Sequence, residues 1–138
     1  MTRHNSQRLP TAWIGRLLLA VLCVAAKLTL AKPVELTKQE CDELALYVRD
    51  PEYPSGARES RQSGPGIVML TIDTKTGHVV KAEMTLSTHS KVLDQAAIQA
   101  LREWRFKPGA VGKVWVPIKF VLSGHSAIVF EYPMWVDK

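Results

Sequence analysis

The chain has 138 residues, enough for one domain, and carries 18 Lys and Arg against 13 Asp and Glu. Four of those cations, Arg3, Arg8, Arg16 and Lys27, precede residue 32; from Lys32 onward 14 cations face 13 acids. What remains is a surface of mixed sign with no basic stripe, which excludes nucleic acid as the expected partner.

Residues 1–31 read as a signal peptide. A basic start is followed by the apolar run from Leu17 to Ala26, and small residues offer cleavage after Ala26 or Ala31. A spanning helix needs about 20 apolar residues, and extending this run to that length would bury Arg16 or Lys27. The expected location is the periplasm, with an uncleaved inner-membrane anchor as the alternative. Cys23 lacks the small residue before it that a lipoprotein site needs. Removal of the leader would leave one cysteine, Cys41, so no internal disulfide is expected.

Residues 32–50 read as a helical extension. Thr37-Lys-Gln-Glu40 has the form of a capping box, with Leu36 and Cys41 as a staple across it. Cys41, Leu44, Ala45 and Val48 then form an apolar stripe on a helix over 38–49. Cys41 is read as a buried thiol, the alternative being a reactive or dimer-forming one. Asp50-Pro-Glu-Tyr-Pro54 stops the helix, since each proline disfavours helix at the residue before it. Ser55–Arg61 allows a helical turn or two, and residues 62–66 read as loop.

Three strands follow. Val68, Leu70 and Ile72 share one face of the first, and Asp73–Gly77 is a hairpin turn with glycine where φ must be positive. The second places Val80, Ala82, Met84 and Leu86 inward and Lys81, Glu83 and Thr85 outward. Ser90 caps a helix over 91–106, whose residues Leu93, Ala96, Ala97, Ala100, Leu101 and Trp104 recur at the helical period. The third strand places Val114, Val116, Ile118, Phe120 and Leu122 inward, with Trp115, Pro117, Lys119 and Val121 outward. Ser123–Ser126 is a turn, and Ala127–Tyr132 has strand character.

The fold expected is α+β: a three-stranded antiparallel sheet in order 2-1-3, helices on one face, and an added C-terminal strand. Proline cannot donate to a ladder, so Pro117 places the third strand at an edge with its nitrogen facing outward.

Little points to catalysis, and no cofactor is expected. His4 lies in the leader, while His78, His89 and His125 fall at turns or a helix entry. None forms an i, i+4 pair, and no Cys or carboxylate cluster has metal-ligand spacing. A free sheet edge remains, which can recruit an extended peptide by strand addition. Either the 127–132 segment or a second copy in a homodimer would otherwise cover it.

One set of motifs runs in order through half of the chain: Pro51-x-Tyr53-Pro54-x-x-Ala57, Gly66-x-Val68, Asp73 with Gly77, Leu93-Asp94-x-Ala96-Ala97, Trp104-Arg105-Phe106-x-Pro108 and Val116-Pro117-Ile118-x-Phe120. Over residues 51–122 the chain resembles the TonB C-terminal domain family, leaving 123–138 as an extension. The resemblance implies a periplasmic domain that pairs with the box segment of outer-membrane transporters, driven by an inner-membrane proton-driven complex. It places the docking strand on Val114, Trp115, Val116, Pro117, Ile118, Lys119, Phe120, Val121 and Leu122. It places a second peptide contact at Asp50, Pro51, Glu52 and Tyr53, with an acid at 50 where the family carries glutamine. Residues 32–50, fully extended, reach at most about 65 Å, which favours a soluble adaptor or competitor over direct force transmission by this chain alone. The alternative function is a periplasmic assembly protein whose edge strand pairs with itself or with other envelope partners. If the 127–132 segment pairs with the third strand, it competes for the docking edge.

Overall fold

The computed structural model describes residues 33–123, 127–131 and 133–137. The signal-peptide reading, with His4 and Cys23, lies outside the described residues, as do His125 and Tyr132. The elements run β1 (Val34–Leu36), α1 (Lys38–Leu44), β2 (Ala45–Tyr47), α2 (Ser55–Glu59), β3 (Gly64–Ile72), β4 (Val79–Leu86), α3 (Lys91–Leu101), β5 (Arg105–Phe106), β6 (Lys113–Val121), β7 (Ala127–Phe130) and β8 (Met134–Asp137). Among the described residues no helix is long and apolar enough to cross a membrane.

The protein is α+β with an antiparallel sheet, but the sheet has six strands rather than three. Its path is β1-β8-β6-β3-β4, and β7 also pairs with β6. The expected order 2-1-3 therefore does not describe it: β4-β3-β6 is only the inner stretch of a wider sheet. The added strands come from both ends of the described chain. Met134 and Val136, 2% and 0% exposed, alternate with Trp135 and Asp137, so β8 has the period-two signature of a strand.

Helix α1 begins as its capping box dictates. The Thr37 hydroxyl accepts from the Glu40 amide at 3.4 Å, and the Glu40 carboxylate accepts from the Thr37 amide at 2.8 Å. It ends at Leu44 rather than 49, because Leu46-Tyr47-Val48 leave the helix and Ala45 pairs with Phe106 in a small second sheet. The stripe splits accordingly: Cys41 is buried while Val48 is 46% exposed.

Helix α3 also stops early, at Leu101 rather than 106. The next residues find better partners outside a helix. The Phe106 amide donates to the Gly77 carbonyl at 2.8 Å, and Arg105 and Phe106 form β5. Trp104 is 4% exposed, but it reaches the core from a turn, so its helical spacing was coincidental. Within α3, Leu93, Ala97, Ala100 and Leu101 face β3 and β4. Its entry is fixed by Asp94, which accepts from Ser87 Oγ at 2.6 Å, Thr88 Oγ1 at 2.7 Å and the Thr88 amide at 2.9 Å.

The second strand departs from simple alternation. Thr71 pairs with Lys81 but Ile72 with Val79, so the register slips and Val80 has no opposite number. Val79 packs toward the core in its place, and Val80 is 62% exposed. A second slip near Thr85 turns Leu86 outward. Bulges of this kind re-aim side chains without breaking the strand. Gly77 closes the β3–β4 turn at φ 75°. A Cβ there would lie 1.9 Å from the Phe106 carbonyl oxygen, so this glycine serves both conformation and close approach.

Candidate functional site

Strand β6 is interior, which overturns the reading that Pro117 marks an edge. One side pairs with β3 from Lys113 to Phe120. The other side is divided: β8 takes Lys113–Trp115 and β7 takes Ile118–Val121. Val116 and Pro117 lie at the seam between the two. The Pro117 carbonyl accepts from the Glu131 amide at 3.0 Å, on the side of β7. In a strand the nitrogen of a residue points to the same side as its carbonyl, so the missing donor of Pro117 falls where the ladder passes from one strand to the other. The exclusion of proline from a continuous ladder is respected by a break in the partner rather than by an edge.

The nine residues expected to dock a partner are thus distributed as follows. Val114, Val116, Ile118 and Phe120 are buried in the core, and Pro117, placed outward by alternation, is buried too. Trp115 and Val121 are half-buried, Lys119 is exposed, and Leu122 lies beyond the strand, exposed rather than inward. The backbone side that the docking reading needs is filled from within the chain.

The second stretch, Asp50–Tyr53, divides by function of each side chain. Pro51 and Tyr53 are buried, whereas Asp50 and Glu52 are exposed. The Tyr53 ring meets Phe120 edge-on at 5.4 Å, and its hydroxyl donates to the Gln62 carbonyl. Burial pushes the Tyr53 phenol above its ordinary pKa. Arg49 just before it forms ion pairs with Glu103 at 2.5 Å and Glu52 at 3.7 Å. The hydrogen bond from Arg49 holds the Glu103 carboxyl below its ordinary range.

Trp104 joins the two stretches. Its indole Nε1–H donates to the Arg49 carbonyl at 2.9 Å, and its ring meets Phe130 of β7 at 5.3 Å in a T-shaped contact. Beside Phe130 lies an apolar cavity of about 50 Å³ bordered by Leu36, Cys41, Trp104, Phe106 and Met134. Cys41 is buried in its wall. Burial, with the charges of Asp42 and Glu40, pushes the thiol up to about 11, so it stays protonated at neutral pH.

Among the described residues no group of three His, Cys, Asp or Glu could hold a metal ion. His78 contacts Arg105 and His89 sits at φ 67° before α3. What the arrangement offers chemically is a strand-pairing surface with an aromatic socket beside it. β7 and β8, which fill that surface, were respectively half seen and missed in the sequence.

Residues 49–123, more than half of the chain, match the family described as Gram-negative bacterial TonB protein C-terminal. The chain belongs to the TonB C-terminal family. A protein from Vibrio cholerae named Protein TonB is 29% identical over 80 residues, covering 54% of this chain and 32% of that one. A Protein TonB from Xanthomonas campestris pv. campestris is 32% identical over 79 residues, covering 53% of this chain and 35% of that one. The chain thus spans about a third of the length of the curated relatives it matches. No solved structure gives a significant match.

The family match explains why the ordered motifs exist, and the geometry says what each does. Tyr53, Trp104 and Phe106 tie the loop before α2 to the sheet, Asp94 fixes the start of α3, and Gly77 admits the Phe106 carbonyl. Most of the signature is therefore scaffold around β6.

Proposed function

We propose that this domain is a periplasmic TonB-type docking module, exported by its N-terminal segment. It takes up the extended N-terminal box segment of an outer-membrane transporter by strand addition to the second side of β6, and so supports or modulates energy-dependent transport. An inner-membrane proton-driven complex is the implied source of that energy. The observation that carries the reading is that β6, in a chain of this family, already binds an extended segment there, antiparallel over Ile118–Val121. Main-chain ladders are indifferent to most side chains, so an edge that accepts one extended segment can accept another. Exposed Asp50 and Glu52 stand on the loop that Trp104 links to Phe130, within the same neighbourhood.

The test is to titrate the N-terminal periplasmic segment of a TonB-dependent transporter from the same cell into the isotope-labelled chain. Amide shifts centred on Ile118–Val121 are expected, with smaller ones at Asp50 and Glu52. Binding that leaves β6 untouched, or no binding by the folded chain, defeats the proposal.

A further inference from the structure

The second side of β6 is covered by two strands that differ in how firmly they are held. β8 is paired on both flanks, with β6 at Lys113–Trp115 and with β1 at Val34–Leu36. Its inward residues Met134 and Val136 are 2% and 0% exposed. β7 has four residues, a single ladder to β6, and Val129 44% exposed on its outer face. Its inward residues Ile128 and Phe130 are only partly buried against the core. At its end the pair Glu131–Pro117 makes one ladder bond instead of two, since proline has no donor to return. The ladders that hold β8, to β6 at Lys113–Trp115 and to β1, do not involve β7.

The side chains of β7 also show what the vacated place would select. Ile128 lies opposite Phe120, and Phe130 opposite Ile118, with the Phe130 ring on Trp104 beside the 50 Å³ cavity. Val129 faces outward across from Lys119. Glu131, on that same outer face, reaches Lys119 Nζ at 3.9 Å. Resting on the reading that this side of β6 is the docking edge, we propose that β7 is a resident stand-in for the partner. It closes the edge, and it displays the pattern of the segment that replaces it: an apolar residue, any residue, an aromatic and an acid, running antiparallel to β6. The aromatic supplies most of the affinity, because it alone fills the Trp104 socket; aromatic residues in desolvated pockets dominate such interfaces. The acid sets register, since an exposed ion pair contributes little.

The experiment uses the full chain and a capped synthetic peptide spanning residues 126–133. In one variant residues 127–131 are replaced by five Gly and Ser residues, leaving β8 in place. In a second, Val129→Pro removes a ladder donor from the exposed face without touching the core. Both variants should bind the peptide at least about tenfold more tightly than the native chain, in proportion to the time the edge is open. Amide shifts should centre on Ile118–Val121. Peptide carrying Phe130→Ala should lose roughly 30-fold in affinity. Peptide carrying Glu131→Lys should lose about two- to fivefold and recover it against Lys119→Glu in the loop variant. Folded variants that bind the peptide no more tightly than the native chain overturn the inference, as does indifference to Phe130→Ala. A transporter segment titrated in parallel separates the two readings. Variants that take the tail peptide but no transporter segment sink the docking function and leave the stand-in intact. Transporter segments that bind native chain and variants equally sink the stand-in and leave the docking function.

Discussion

Trp104 is the residue on which both parts of the candidate site depend, and its contribution can be separated into packing and hydrogen bonding. Trp104→Ala empties a side chain that is 4% exposed and packs against Phe106 at 6.2 Å and Phe130 at 5.3 Å. Removing a buried aromatic of this size costs about 3–5 kcal/mol. Trp104→Phe keeps a ring against Phe106 and Phe130 but leaves the Arg49 carbonyl without its 2.9 Å partner. A buried acceptor left unsatisfied costs about 1–3 kcal/mol. This hydrogen bond is only part-buried, so the lower end, about 1 kcal/mol, is expected. A domain of this size has roughly 5–15 kcal/mol in all, so the alanine variant should approach the limit of folding while the phenylalanine variant melts about 4–8 °C lower. Urea unfolding followed by far-UV circular dichroism measures both, independently of the indole that has been removed. Equal losses for the two variants, or an alanine variant within about 1 kcal/mol of the native chain, would refute the assignment of Trp104 as a packed post.

Two further outcomes follow from backbone geometry and from burial. Gly77→Ala should abolish soluble folded protein, because its Cβ meets the Phe106 carbonyl at 1.9 Å and φ is 75°; Gly109→Ala, at φ 79° with nothing within 4 Å, should cost only about 1–2 kcal/mol on thermal melting. For Cys41, whose folded pKa of about 11 lies above its ordinary 9.0, the protonated thiol is the stabilised form. Its contribution is complete below about pH 9 and is lost as pH rises toward 11. The native chain should therefore lose more stability than Cys41→Ser over that interval in parallel denaturant titrations, and its thiol should resist alkylation at pH 8 until urea is added; a slope unchanged by the substitution counts against the burial.

The residues that declared themselves in the sequence are those governed by local rules. The Thr37–Glu40 box, Ser90 before α3, Gly77 in its turn and the inward sets of β3 and β6 are each decided by neighbours within a few positions. The misreadings arise where distant partners decide. α1 stops at Leu44 because residues 45–47 are claimed by β5, and α3 stops at Leu101 because Phe106 is claimed by Gly77. The outward turn of Val80 depends on a register slip against β3. Pro117 was read by a sound rule with an incomplete menu: a ladder can be interrupted by a change of partner as well as by an edge. Of the candidate site, β6 was legible as a strand from its alternation, while the docking role of β6 and of the Asp50–Tyr53 loop came only from the resemblance. The occupation of β6 by two successive strands was not, since Met134–Asp137 lies beyond a proline and past the matched motifs.

The two margins of the sheet are treated differently. β4 offers the longer one, eight residues paired, among the described residues, with β3 alone. An exposed edge of that length invites unwanted pairing, and this one is distorted at both ends. Val80 is thrown outward by one register slip and Leu86 by the other, where the Thr85 hydroxyl donates to the Ile67 carbonyl at 3.2 Å. Lys81 and Glu83 put an ion pair along its middle. Bulges and charge are the usual means by which an edge is made unfit for a partner strand. β7, which lies beside β6 and off the path that ends at β1, has less of both, its charge confined to the Lys119–Glu131 pair at its end. β7 carries uncharged Ala127, Ile128, Val129 and Phe130 and pairs in unbroken register. The sheet thus blunts its long β4 edge and covers the Ile118–Val121 part of β6 with a short, half-buried strand. That asymmetry supports the proposal that strand addition takes place on the β6 side and not at β4. A variant lacking both Val80 and Thr85, the residues left unopposed by the two register slips, would pair regularly with β3 and should therefore self-associate detectably by sedimentation without changing peptide binding at Ile118–Val121.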